Sequence, residues 1–99
     1  MISMTKMTAT TIQNEVLTHR QFIVLSLSAL GLKNRQIAQT LFVSENTVKK
    51  TLEIIFRKLC ARDRTHAVAI AFGMGILTTQ KLSEIDFKYK IKENFQIIN

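Results

Sequence analysis

The sequence predicts an all-α fold of four helices, with a flexible N-terminus and an extra C-terminal segment. Three observations carry this. The chain contains no proline, so nothing in it removes a helical N–H or clashes with the preceding turn. Its apolar residues recur every three or four positions, the period that lines one face of a helix. Thr, Asn or Ser stands ahead of each such stretch and glycine follows two of them, which are the start and stop signals of helices.

Residues 1–16 are rich in Thr, Met and Ser without a clear period and read as a flexible leader. Thr18 opens the first helix. Its hydroxyl caps free N–H groups of the first turn while Gln21 reaches back, a capping box, with Leu17 placed to staple onto Phe22. Val24, Leu25, Leu27 and Ala29 supply an apolar face, and Gly31 suits the left-handed position that closes a helix, giving a span of 19–30. Asn34 is the expected N-cap of a short second helix with Ile37, Ala38 and Leu41 as its buried stripe. Phe42 and Val43 fall in the connection. Ser44 caps the third helix, 45–60, where Val48, Leu52, Ile55 and Leu59 follow at spacings of four, three and four. A fourth helix begins near Thr65 and carries Ala67, Val68, Ile70, Ala71 and Met74 before Gly75. Residues 17–77 thus form the domain and 78–99 the extension. Within the extension, Phe87, Tyr89 and Ile91 alternate as in a strand. Leu82, Ile85 and Tyr89 fit a helix equally well, and both readings stand.

Ninety-nine residues suffice for one small domain. Fourteen Lys and Arg against seven Asp and Glu leave a net charge of +7, a field that favours polyanions, nucleic acid before anionic membrane. The charge is concentrated. Lys33, Arg35, Lys49, Lys50, Arg57, Lys58, Arg62 and Arg64 are opposed over that stretch only by Glu45, Glu53 and Asp63. No apolar run reaches the ~18–20 residues of a membrane span, and no secretory signal opens the chain. The single Cys60 excludes a disulfide framework and a cysteine-built zinc site. A cytoplasmic protein is expected. His19 and His66 lack companions at ligand spacing and read as surface or capping residues. With no glycine-rich phosphate loop, paired acids or Ser–His–Asp arrangement, neither an enzyme nor a cofactor is expected.

A short helix, a tight turn and a longer helix with lysines near its start is the helix-turn-helix pattern. The major groove, ~12 Å wide, admits one helix. The second helix of the pair enters it while the first braces across the backbone. The inserted helix must be apolar where it meets its own protein and polar or basic where it meets DNA. Over 45–60, Val48, Leu52, Ile55 and Leu59 face inward; Glu45, Asn46, Lys49, Lys50 and Glu53 face outward.

Leu17-Thr18-x-Arg20 is followed by Gly31, Asn34, Ile37, Ala38 and Leu41, by Val43-Ser44-x-x-Thr47-Val48-Lys49, by Lys58-Leu59 and by the stretch from Arg64 to Leu77. In these residues, in their order and spacing, the chain from Leu17 to Leu77 resembles the LuxR/FixJ-type helix-turn-helix domain of bacterial transcription regulators. That resemblance implies that the third helix reads the major groove and the fourth pairs two subunits, through Thr65, Val68, Ala69 and Phe72. The resemblance places Thr47 on the phosphate backbone, Lys49, Lys50 and Glu53 toward base edges, and Lys33, Asn34, Arg57 and Lys58 near phosphates. Glu53 departs from the commoner basic or neutral residue. It either accepts from cytosine N4 or, the favoured reading, pairs with Lys49 or Arg57. Gln21 replaces the usual Glu, which puts in doubt an ion pair between the first and third helices.

The expected function is that of a stand-alone, sequence-specific transcription regulator binding double-stranded DNA as a homodimer, without a membrane partner. Cys60 reads as a buried inert thiol, with a redox-controlled intersubunit disulfide as the minority reading. Lys88, Lys90 and Lys92 read as a solvated face, less favourably as contacts to flanking phosphates. The alternative function is an interaction module that modulates another regulator or RNA polymerase, docking through Phe87, Tyr89, Ile91, Phe95, Ile97 and Ile98.

Overall fold

A computed structural model describes residues 16–95. Those residues form six helices and no strand: α1 (His19–Ala29), α2 (Asn34–Leu41), α3 (Glu45–Leu59), α4 (Arg64–Gly73), α5 (Thr79–Tyr89) and α6 (Ile91–Phe95). The all-α expectation holds. Most of the leader lies outside the described residues, but Val16 packs against the core and so belongs to the folded domain.

Helix α1 is the centre of the molecule. Thr18 Oγ1 accepts from the Gln21 N–H (3.1 Å) and Gln21 Oε1 accepts from the Thr18 N–H (3.0 Å), closing the expected capping box. Six consecutive residues, Ile23 to Ser28, are buried, which a one-sided amphipathic helix does not do. The reason is that α2, α3, α4 and α5 all pack on it. Burying that circumference also buries two hydroxyls. Ser26 Oγ donates to the Phe22 carbonyl (2.7 Å), whereas Ser28 Oγ has no partner among the described residues. At the C-terminal end, Gly31 adopts φ 99°, the Leu32 N–H donates to the Leu27 carbonyl (3.1 Å) and the Gly31 N–H to that of Ser28 (3.0 Å). This is the Schellman closure that glycine permits.

The same closure recurs without glycine. Phe42 (φ 58°) ends α2, Cys60 (φ 56°) ends α3 and Lys90 (φ 52°) ends α5. Val43 N–H donates to the Ala38 carbonyl (3.1 Å) and Ala61 N–H to that of Phe56 (2.8 Å). These hydrogen bonds help offset the roughly 1–2 kcal/mol that an L-residue loses in the left-handed region. Asn34 does not cap α2. Lys33 occupies the cap position, has no side-chain acceptor, and donates its backbone N–H to Gln36 Oε1 (2.8 Å), half a capping box. Helix α4 starts at Arg64 behind an Asp63 cap. Asp63 Oδ1 accepts from the His66 N–H (2.9 Å), and His66 Nδ1 accepts from the Arg62 N–H (3.0 Å). The capping reading of His66 therefore holds.

The described part of the C-terminal extension, through Phe95, is helical. Ile85 and Ile91 are buried, Leu82 and Tyr89 pack against the core, and Phe87 stands 87% exposed. The helical spacing of Leu82, Ile85 and Tyr89 prevails over the alternating one, because α5 lays that stripe along α1.

Replacing Ser28 by Ala should raise stability by up to about 1 kcal/mol, since it removes a buried hydroxyl without a partner. Leu52→Ala should cost about 2–5 kcal/mol. Urea unfolding of both variants measures this; a loss above about 1 kcal/mol for Ser28→Ala would show that the hydroxyl is bonded.

Candidate nucleic-acid interface

Helix α3 begins where Ser44 Oγ accepts from the Thr47 N–H (3.0 Å) and lies 2.9 Å from Thr47 Oγ1. That pair fixes the first turn of the helix and leaves Thr47 exposed at its N-terminus. Val48, Leu52, Ile55 and Leu59 are buried, held by α1, α2 and α4. Glu45, Asn46, Lys49, Lys50, Glu53, Arg57 and Lys58 are exposed. The inward and outward sets agree residue for residue with the helical spacing. Acidic Glu45 in the first turn and Arg57 and Lys58 in the last also match the helix dipole.

The expected pairing of Glu53 with Lys49 or Arg57 does not form. Among the described residues the one ion pair is Lys92 with Asp86, at 4.0 Å. An exposed pair gains little in water and costs side-chain freedom, so these side chains stay apart. Glu53 and Lys49 instead line one side of a shallow groove that runs past Leu52 and Phe56 toward Arg62 and Asp63.

Two ties brace the helices around the helix-turn-helix. Lys58 Nζ donates to Gln21 Oε1 (2.8 Å), so α1 and α3 remain linked although Gln21 carries no charge. The second tie is one that charge patterning does not reveal. By composition Arg64 is one more surface cation, yet its guanidinium donates to the Leu32 carbonyl (3.0 Å) and to Asn34 Oδ1. Desolvation by partial burial lowers the Arg64 pKa from its ordinary value. The guanidinium clamps the α1–α2 connection to the start of α4, and it is also the reason Asn34 fails as a cap: its side-chain oxygen is engaged elsewhere. The one available signal is Arg64's place in the family pattern. Asn34 keeps its amide donors for another acceptor.

Lys33 is exposed beside this clamp. On α4, Thr65, Ala69 and Phe72 are exposed and Val68 is half-buried, a stripe at helical spacing. Cys60 is exposed, contrary to the buried thiol expected, because the left-handed residue that closes α3 sits on the surface. The docking role of the tail is also corrected in part. Ile91 is buried and Tyr89 half-buried in the protein's own core, while Ile97 and Ile98 lie outside the described residues. With α5 and α6 in place, Lys49 and Lys50 remain exposed. Among the described residues no helix is long and apolar enough to cross a membrane.

A helix-turn-helix braced by two further helices, with a basic and uncovered face on its second member, defines the class: the DNA-binding module of a transcription regulator. The chain belongs to the bacterial regulatory proteins of the luxR family, whose family model matches residues 15–71. It is 53% identical over 62 residues to the transcriptional regulatory protein YdfI of Bacillus subtilis, covering 63% of this chain and 29% of the relative. It is 48% identical over 63 residues to the uncharacterized transcriptional regulatory protein YxjL of the same organism, covering 64% and 29%. To the probable csgAB operon transcriptional regulatory protein of Salmonella typhimurium it is 42% identical over 59 residues, covering 60% and 27%. The chain therefore spans under a third of the length of these relatives. No solved structure matches it.

Arg64→Ala should cost about 1–3 kcal/mol by stripping donors from two partly buried oxygens. Arg64→Lys should recover only part of this, because an ammonium cannot reproduce the fork. Thermal or urea unfolding decides it; a lysine variant as stable as the parent would mean that the two-pronged contact is not used.

Proposed function

We propose that this chain binds double-stranded DNA sequence-specifically as a homodimer and regulates transcription in the bacterial cytoplasm, with α3 lying in the major groove. The observation that carries this reading is the outward face of α3: Lys49, Lys50 and Glu53 stand exposed on a helix whose opposite side is wholly buried. Lys49 and Lys50 donate to guanine O6 and N7, and the unpaired Glu53 carboxylate accepts from cytosine N4. Thr47, Asn46, Lys33, Asn34, Arg57 and Lys58 contact phosphates and set the register of the helix. Lys58 gives up its bond to Gln21 or shares it. Two copies meet through Thr65, Val68, Ala69 and Phe72 on α4, so that each reads one half-site of a symmetric operator.

Lys49→Ala and Lys50→Ala should each cost about 1–3 kcal/mol on the preferred sequence and relax base preference. Arg57→Ala should weaken all sequences alike and reduce the salt slope by about 0.9 for each phosphate no longer neutralised. Gel-shift titrations at two salt concentrations separate these effects, and equal losses for both classes on specific and random duplexes would sink the division of roles. Val68→Glu with Phe72→Glu should turn a sedimenting dimer into a monomer; a parent protein that is monomeric both free and on DNA would exclude the α4 contact.

A further inference from the structure

We propose that the C-terminal helices extend the DNA-contacting surface, with Lys88 and Lys90, joined by Arg20, gripping the sugar–phosphate backbone outside the half-site read by α3. The inference rests on the DNA reading above. It concerns α5 and α6, which lie beyond the residues that match the family model.

The surface is built around Phe42, the residue that closes α2 and stands 94% exposed in the turn before α3. One groove beside it is lined by Arg20, Thr40 and Tyr89. The adjoining groove is lined by Gln39, Lys88, Lys90 and Asn94. Neither groove has a carboxylate among its lining residues. Asp86 pairs with Lys92 (4.0 Å) and also accepts from the Lys92 backbone N–H (3.3 Å). On their other side Lys88 and Lys90 line a further groove together with Asp86 and Glu93, yet among the described residues neither lysine forms an ion pair with these acids. Lys88 Nζ rests 5.5 Å from the Tyr89 ring centroid, which restrains the ammonium without neutralising it.

Continuity selects DNA as the occupant. Phe42 is two residues from Ser44, the cap of the helix proposed to enter the groove. The outer face of α2 carries exposed Arg35 and Gln39, one turn apart, and leads to Phe42. In this motif the first helix crosses the backbone, so a track from Arg35 past Phe42 to Lys88 and Lys90 follows phosphates. The acid-free, cationic lining complements them. Phe42 packs against deoxyribose, where an exposed apolar ring finds the uncharged part of the backbone.

The test compares the full chain with its Lys88→Ala/Lys90→Ala variant on two duplexes. One holds only the selected site, and the other adds one helical turn of arbitrary sequence at each end. The parent should bind the longer duplex several-fold more tightly and with a steeper salt dependence. The double variant should lose that advantage, its slope falling by about 0.9 for each phosphate left without a lysine, and bind both duplexes as the parent binds the short one. Lys88→Arg/Lys90→Arg should retain the parent behaviour. A parent insensitive to duplex length, or a variant weakened equally on both duplexes, overturns the proposal while leaving the DNA reading intact. No binding to either duplex overturns both. Length-independent DNA binding, together with variant-sensitive binding of a glutamate-rich peptide carrying a phenylalanine, would overturn it by assigning the surface to an acidic protein instead.

Discussion

Everything in this protein depends on one packing relation: the apolar stripe of α3 seated against α1. Val48, Leu52, Ile55 and Leu59 go inward, and the 3.6-residue period then forces Lys49, Lys50 and Glu53 outward. The outward chemistry of α3 is therefore not placed independently of the core. A one-residue rotation of α3 would bury lysines and expose leucines, at a cost no surface contact offsets. Because α1 is itself enclosed by four helices, the platform under α3 resists tilting, and the outward side chains project from a fixed base. Such preorganisation limits the ordering that binding must supply.

The features that α3 and α1 determine by periodicity are readable in the residues. The four central helices, the Thr18 capping box and the two faces of α3 follow from spacing and cap chemistry, which are local. What escapes such reading is decided by groups distant in sequence. Asn34 looks like a cap until Arg64, thirty residues on, takes its oxygen. Glu53 looks paired because helical spacing brings it near two cations, yet water competes successfully for all three. Cys60 looks buried by composition, but its exposure follows from a left-handed closure that no glycine announces. The two readings of the extension stay balanced until α1 offers a groove for Ile85. A short alternating run carries no information about the surface it will meet.

The ties to Gln21 and Arg64 show how a small domain holds a functional helix with little core. Lys58 and Gln21 join α1 to the last turn of α3, while Arg64 joins the α1–α2 connection to α4. One acts at the C-terminal end of α3 and the other on the segment that leads into α2. A neutral glutamine in place of a carboxylate keeps the hydrogen bond and removes a negative charge from the surface proposed to meet phosphates. Against a polyanion that exchange favours binding, since a carboxylate there would repel backbone charge while gaining little as an exposed ion pair.

The three left-handed closures bear on where the protein accepts strain. Phe42, Cys60 and Lys90 each occupy a conformation that glycine or asparagine would adopt more cheaply. All three side chains are exposed, so none recovers the cost through its own burial. At all three positions the hydrogen bonds that close the helix supply part of the offset. Phe42 and Lys90 share a further property: they line one groove beside the helix-turn-helix. A backbone conformation held at some cost, with the side chains turned to solvent on the same surface, is what a contact surface shaped for an external partner would show. Stability alone gives no reason to keep phenylalanine at such a position.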